Sequence, residues 1–110
     1  MAEVLKVLGQ LNPSAATLTD IYTVPAATSA VISSIIVANR DASVATSFRI
    51  TVAVAGAGDS SEQYIYDDID IPAKDTFTAS LGITLAATDV IRVYATLATL
   101  SFNIYGSEIT

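Results

Sequence analysis

Short runs in which apolar and polar side chains alternate constrain the fold of this chain more than any other feature. One run covers residues 48–54, beginning with Phe48, and a longer one covers residues 76–85, beginning with Thr76. Two more lie at residues 91–97 and 100–105. Because successive side chains of a β-strand point to opposite faces of a sheet, this period of two predicts strands with one buried side. No helical segment is predicted.

The same pattern predicts four further strands, at residues 4–8, 18–24, 31–39 and 63–71. Turn residues separate the strands at intervals typical of sandwiches and barrels. The short link 97–99 predicts a C-terminal hairpin. We therefore predict an all-β fold, an antiparallel β-sandwich that is jelly-roll-like with about eight strands. It would fill residues 1–110 as a single domain, in which residues 1–16 supply the first strand or an extended N-terminal arm.

Three segments share an order of apolar residue, proline or alanine, alanine and then polar residues. They are Val24–Thr28, Ile71–Thr76 and Leu85–Asp89. Proline fixes φ at about −65° and suits the early positions of a turn. The shared order predicts one kind of turn, used three times to enter the next strand.

The chain contains no cysteine, no histidine and no tryptophan. It therefore lacks thiol nucleophiles and disulfides, the usual general base and metal ligand, and the aromatic residue best suited to stacking on sugars. Its serines lie in no nucleophile motif, and Gly56-Ala57-Gly58 is not followed by the Lys-Ser or Lys-Thr of a phosphate loop. We predict that the protein is not an enzyme and binds no cofactor.

Acidic residues cluster only at Asp67, Asp68 and Asp70. A calcium site needs six to eight converging oxygens and, in its common loop form, spaced Asp or Asn residues with a glycine turn, a pattern absent here. A solvated strand edge is the favoured interpretation. Calcium binding is a weaker alternative and a catalytic carboxylate pair a weaker one still, so no metal site is predicted.

The net charge of −6, with only five scattered basic residues, disfavours contact with a phosphate backbone or an anionic membrane. No apolar run of about 18 residues is present, and the first ten residues do not form a secretion signal. We predict neither nucleic acid nor membrane as a partner.

Charged residues make up 15% of the chain and apolar residues 52%, whereas globular proteins carry about 25% charged residues. A small domain with so little charge must expose apolar surface, and large exposed patches mark contact sites. Self-association is the expected consequence.

The segment 30–38 is apolar on both alternating sides. Strict alternation would place Val31, Ile35 and Val37 on one side and Ile32, Ile36 and Ala38 on the other. The outer side must be covered, and cover by a neighbouring subunit is favoured over cover by a loop of the same chain. Four tyrosines on the polar sides of their strands are further contact candidates, although cross-strand pairing explains them equally well. The candidate interface residues are Val31, Ile32, Ile35, Ile36, Tyr64, Tyr66, Tyr94 and Tyr105.

Several segments resemble the small virion structural proteins of tailed bacteriophages: Val7–Gln10, Thr19–Thr28, Ile36–Arg40, Phe48–Ile50 and Ser101–Glu108. The resemblance covers nearly the whole chain, and no catalytic motif is part of it. It implies a viral protein located in the virion, where it would stabilise or decorate the particle as a capsid decoration or cement protein, or as a neck, tail or baseplate protein. The implied partners are copies of the chain itself, with a trimer favoured, and the major capsid protein or tail proteins.

A receptor- or carbohydrate-binding β-sandwich module is the alternative, because jelly rolls also occur in lectins. The absence of tryptophan weighs against it. A glycan array would distinguish the two, since binding of the isolated protein to a defined sugar would favour the alternative.

Overall fold

The computed structural model describes residues 2–110, and it consists of two four-stranded antiparallel sheets packed face to face. In spatial order, sheet A contains β1 (Glu3–Leu11), β8 (Leu100–Ile109), β3 (Ser29–Asn39) and β6 (Thr76–Leu85). Sheet B contains β2 (Thr19–Thr23), β7 (Val90–Ala95), β4 (Thr46–Ala53) and β5 (Tyr64–Ile71). Two 3-10 turns, Val54–Gly56 and Ser61–Gln63, lie between β4 and β5. The predicted eight-stranded antiparallel β-sandwich is confirmed.

The strand order is that of a jelly roll, in which the chain folds back as one long antiparallel ribbon and then rolls up. The ribbon pairs β4 with β5, β3 with β6, β2 with β7 and β1 with β8, and successive pairs alternate between sheets B and A. The N-terminal segment supplies edge strand β1, paired only with β8.

The predicted C-terminal hairpin is wrong, because β7 lies in sheet B and β8 in sheet A. A link as short as residues 96–99 can turn within one sheet or cross between two packed sheets, and alternation in the flanking strands is the same in both cases. The long-range pairing of β8 with β1 and β3 decides between them.

The core lies between the sheets and contains the inward side chains of all four strand pairs. Phe48 of β4 is completely buried and contacts Phe77 and Phe102, with ring centroids 5.1 and 6.1 Å away. Asn39, at the end of β3, is a buried polar residue whose side-chain amide donates to the carbonyl oxygens of Val44, Ile71 and Pro72. This amide fixes the crossing from sheet A to sheet B.

The three similar turns share a backbone feature that glycine normally provides. Ala27, Lys74 and Thr88 occupy the same place in their turns and have φ values of 55°, 57° and 71°. In two of them a hydrogen bond closes the four-residue turn, from the amide of Asp75 to the oxygen of Pro72 and from that of Asp89 to the oxygen of Ala86. Left-handed backbone is strained for residues with a Cβ, most of all for a β-branched one such as threonine.

Thr88→Gly is therefore expected to stabilise the fold. Relief of left-handed strain is worth about 1–2 kcal/mol, and the added freedom of glycine in the unfolded chain costs about 0.5–1 kcal/mol. The exposed Thr88 side chain forms no hydrogen bond among residues 2–110, so little else is lost. Urea unfolding should show a net gain of about 0.5–1 kcal/mol. Thr84→Gly, within β6, is the control and should destabilise instead.

Candidate interaction surfaces

The outer face of sheet A is nearly free of charge. Its apolar members include Leu5 and Val7, which are 80% and 47% exposed, and the half-buried Val31, Ile36 and Tyr105. Hydroxyl and amide side chains fill the rest of the face: Gln10, Ser34, Thr76, Thr78, Ser80, Thr84, Ser101 and Asn103. Within residues 2–110, Glu3 at the far end of β1 is the one charged side chain on this side of the sheet.

Two of the predicted interface residues lie in the core instead. Ile32 and Ile35 are both 0% exposed, so neither side chain can contact a neighbouring molecule in this fold. Val31 and Ile36 do lie on the outer face of sheet A, half-exposed. Each of the two sides expected from strict alternation is thus divided. Ile35 points into the core while Val31, expected on its side, points outward, and Ile32 points into the core while Ile36 points outward.

A β-bulge at Ser33 causes this division. The registers of β3 with β8 and with β6 both shift between Ile32 and Ser34: Ser33 is the extra residue against β8, whereas two residues of β6, Leu81 and Gly82, lie opposite Ser33. One extra residue reverses the in-and-out order of the strand beyond it. The Ser33 hydroxyl donates to the Tyr105 carbonyl oxygen at 3.1 Å, so the bulge is tied to the neighbouring strand.

The four tyrosines lie on three different surfaces. Tyr105 belongs to the outer face of sheet A, opposite Ser34. Tyr64 and Tyr94 lie near Arg49 on the outer face of sheet B. Tyr66 packs inward, with its ring centroid 5.3 Å from that of Phe77. A single tyrosine-bearing interface is therefore not formed within one copy, and the outward position expected for Tyr66 is wrong, because irregular pairing of β5 shifts its alternation.

The outer face of sheet B, in contrast, carries matched charges. The Arg49 guanidinium donates to both carboxylate oxygens of Asp68, at 2.7 and 3.2 Å, and lies 4.4 Å above the Tyr94 ring. This pairing holds the pKa of the Asp68 carboxyl below its usual value. Arg92 donates through Nε to Asp20 at 2.8 Å and through its other nitrogens to the carbonyl oxygens of Ala57 and Gly56. Exposed pairs of this kind contribute little stability, and they keep this face hydrated.

A shallow depression adjoins the Arg49 pair, lined by Arg49, Ser61, Tyr64, Asp67 and Asp68. Among residues 2–110, no three acidic side chains converge in a way that would hold a metal ion. One face of the Tyr94 ring nearby is covered by the Arg49 guanidinium, which leaves less aromatic surface for a sugar to stack on. In the depression two carboxylates share the Arg49 guanidinium, Asp68 at 2.7 Å and Asp67 at 3.4 Å.

A second charged group, missed from the sequence, joins β1, β2 and β8. Glu108 accepts hydrogen bonds from the Tyr22 hydroxyl at 2.6 Å and from the Lys6 ammonium at 3.0 Å. These bonds, that from Tyr22 first, lower the pKa of the Glu108 carboxyl, while burial and the same carboxylate raise the pKa of the Tyr22 phenol. Tyr22 and Lys6 are 86 and 102 positions from Glu108 in sequence, so no local pattern could reveal this cluster. The cluster holds the N-terminal strand in place.

Comparison with known proteins assigns no relationship: no family model matches the chain, and no curated protein is similar to it. No helix in residues 2–110 is long and apolar enough to cross a membrane.

Proposed function

We propose that this protein is a structural subunit of a bacteriophage particle, which stabilises or decorates the virion by packing against copies of itself and against neighbouring virion proteins. The observation that carries this proposal is the contrast between the two outer faces. Sheet A presents apolar, hydroxyl and amide groups with Glu3 as its one charge in residues 2–110, whereas sheet B presents paired charges. A face without charge can be buried against another protein without leaving a charge unpaired.

Two further observations support the proposal. The strand order is that of a jelly roll, an architecture that recurs in viral capsid domains as well as in lectins. The segments Thr19–Thr28 and Ser101–Glu108 resemble small phage virion proteins. Fold alone does not imply function, so the surface chemistry carries more of the argument than the topology does.

The oligomeric state of the purified chain tests the first half of the proposal. Light scattering on the full-length protein is expected to give a mass above that of one 11.4 kDa copy, and a mass that rises with protein concentration. Burial of the outer face of sheet A is the physical reason, because association removes its apolar side chains from water. A mass of one copy at every concentration would contradict self-assembly.

Particle composition tests the second half. Antibodies against the chain should label purified particles of the phage that encodes it, and electron microscopy of the label should place it at the capsid, neck, tail or baseplate. Particles purified free of unassembled protein but carrying no label would overturn the virion assignment while leaving self-association untouched. A glycan array with the same protein checks the lectin alternative, which a defined sugar ligand would favour.

A further inference from the structure

We infer that the free edge of β6 pairs with the same edge of a second copy, so that two sheets A join into one continuous eight-stranded sheet. Strand β6 has one neighbour, β3, and its other edge is unpaired within residues 2–110. The backbone amides and carbonyls along such an edge are suited to pairing with another extended strand. This inference concerns the edge of sheet A and does not depend on what its outer face contacts.

The other three sheet edges are protected in the ways that natural proteins use. Edge strand β5 carries Asp67, Asp68 and Asp70, with Asp68 at a φ of 50° that breaks its regularity. Edge strand β2 has only five residues and contains Asp20. Edge strand β1 contains Glu3 and Lys6 and is bulged near Gly9.

Strand β6 lacks charge along its whole length. Its ten residues, TFTASLGITL, contain no charged residue and no proline, and its side chains alternate regularly between exposed and less exposed from Thr76 to Leu85. A long, uncharged edge strand without proline is the kind that joins another strand. The pairing of β6 with β3 is irregular at Leu81 and Gly82, but the alternation of its side chains continues through this point. The protein retains this edge although its other edges are protected, which indicates a use for it in assembly.

The flank beneath β6 is also incompletely covered. Phe77, Leu81 and Ile83 point toward the core but remain half-exposed, unlike the fully buried isoleucines of β3. Tyr66 of β5 packs beneath Phe77 at this flank. A strand added at the β6 edge would extend the sheet over these side chains and complete their burial.

A second copy of β6 fits this edge better than the strand at the opposite edge does. When two β6 strands run antiparallel with Ser80 on the two-fold axis, Thr76 lies opposite Thr84 and Phe77 opposite Ile83. Hydroxyl then pairs with hydroxyl on the outer face, and aromatic with β-branched side chain on the inner face, both of which are favourable cross-strand pairs. Pairing with β1 of another copy would place Glu3 and Lys6 against this uncharged strand.

The absence of cysteine from the chain allows a direct test by disulfide trapping. In the inferred pair, the two copies of residue 80 face each other with Cα atoms about 4.5–5.5 Å apart, within the range of about 4.4–6.8 Å that a disulfide spans. Full-length Ser80→Cys should therefore convert largely to a covalent dimer under mild oxidation. Ser80 is exposed, so the variant should keep its fold, which circular dichroism checks.

Two variants of the same kind fix the register. Thr84→Cys alone should form no disulfide-linked dimer on oxidation, because its twin lies eight residues away, about 26 Å along the strand at about 3.3 Å per residue. A mixture of Thr84→Cys with Thr76→Cys should give the disulfide-linked heterodimer. The inference would be overturned if Ser80→Cys remains a free thiol and, at the same concentration, the mixture of Thr84→Cys and Thr76→Cys also fails to cross-link.

The outcome is separable from that of the proposed function. Ser80→Cys cross-linking should persist when Ile36→Asp is added, because Ile36 lies on the outer face and not at the edge. Loss of cross-linking in this double variant, with its fold intact, would show that the two surfaces act as one and would overturn an independent edge contact.

Discussion

Gly106→Ala is expected to unfold the protein, or to lower its free energy of unfolding by about 4 kcal/mol or more, because the added Cβ would clash with fixed backbone atoms. Gly106 lies in β8 opposite Ile32, beside the bulge at Ser33. A Cβ added here would clash with the carbonyl oxygen of Val31 and lie 3.1 Å from the Cα of Ile32. All of these neighbouring atoms belong to the backbone of β3, so no side chain can turn away to make room.

A matched control exists within the same sheet. Gly82 lies in β6, and a Cβ added to it would meet no atom within 4 Å. Gly82→Ala is expected to change the free energy of unfolding by less than about 1 kcal/mol, and in the stabilising direction, because alanine restricts the unfolded chain. Thermal unfolding should distinguish the two variants, because a loss of about 4 kcal/mol lowers the midpoint of unfolding by about 16 °C or more in a domain of this size. Equal midpoints for the two variants would mean that β3 and β8 do not approach as closely as described.

The bulge that makes Gly106 necessary also marks the limit of prediction from this sequence. Alternation predicted the middle of β4 correctly, where Phe48 and Ile50 point inward, but not its end: Val54, expected on the same side, lies beyond the strand and is 70% exposed. In β3 apolar side chains occupy both alternating sides, so alternation does not show which residue is inserted. The position of the bulge is set by contacts with β6 and β8, which are distant in sequence.

The topology was also predictable in outline. The number of strands and the two-sheet arrangement follow from strand length and turn spacing. Strand length and turn spacing do not predict which strands become neighbours. Residues 96–99, just before β8, connect different sheets although their length suits a hairpin. The pairing of β1 with β8 brings together the two ends of the chain. Local sequence contains no signal for such a contact.

The candidate surface was predictable only in part. The shortage of charge indicated that some face would be apolar, and Val31, Ile36 and Tyr105 are on the face that has this character. The exposure of Leu5 and Val7 in β1 is not predictable from the sequence, because a strand at the edge of a sheet looks the same in sequence as one at its centre.

Ile36→Asp and Ile35→Asp are expected to give opposite results, although the two residues are neighbours in sequence. Ile35 is completely buried, so Ile35→Asp places a carboxylate in the core without a partner and should leave the chain unfolded or insoluble. Ile36 is half-exposed on the outer face of sheet A, where water can still reach a carboxylate. Ile36→Asp should therefore keep the fold, at a cost of about 1 kcal/mol.

The larger effect of Ile36→Asp is expected on assembly, because every copy added at that face would bury an unpaired charge. Light scattering should show the mass of the wild type reduced to two copies or fewer, the remaining dimer being joined at the β6 edge. Val54→Asp is the control: Val54 is an aliphatic side chain, 70% exposed, in the loop after β4, and its replacement should leave the mass of the wild type unchanged. If Ile36→Asp assembles as the wild type does while Ile35→Asp fails to fold, the side chains are placed correctly, but the uncharged face is not what holds the copies together.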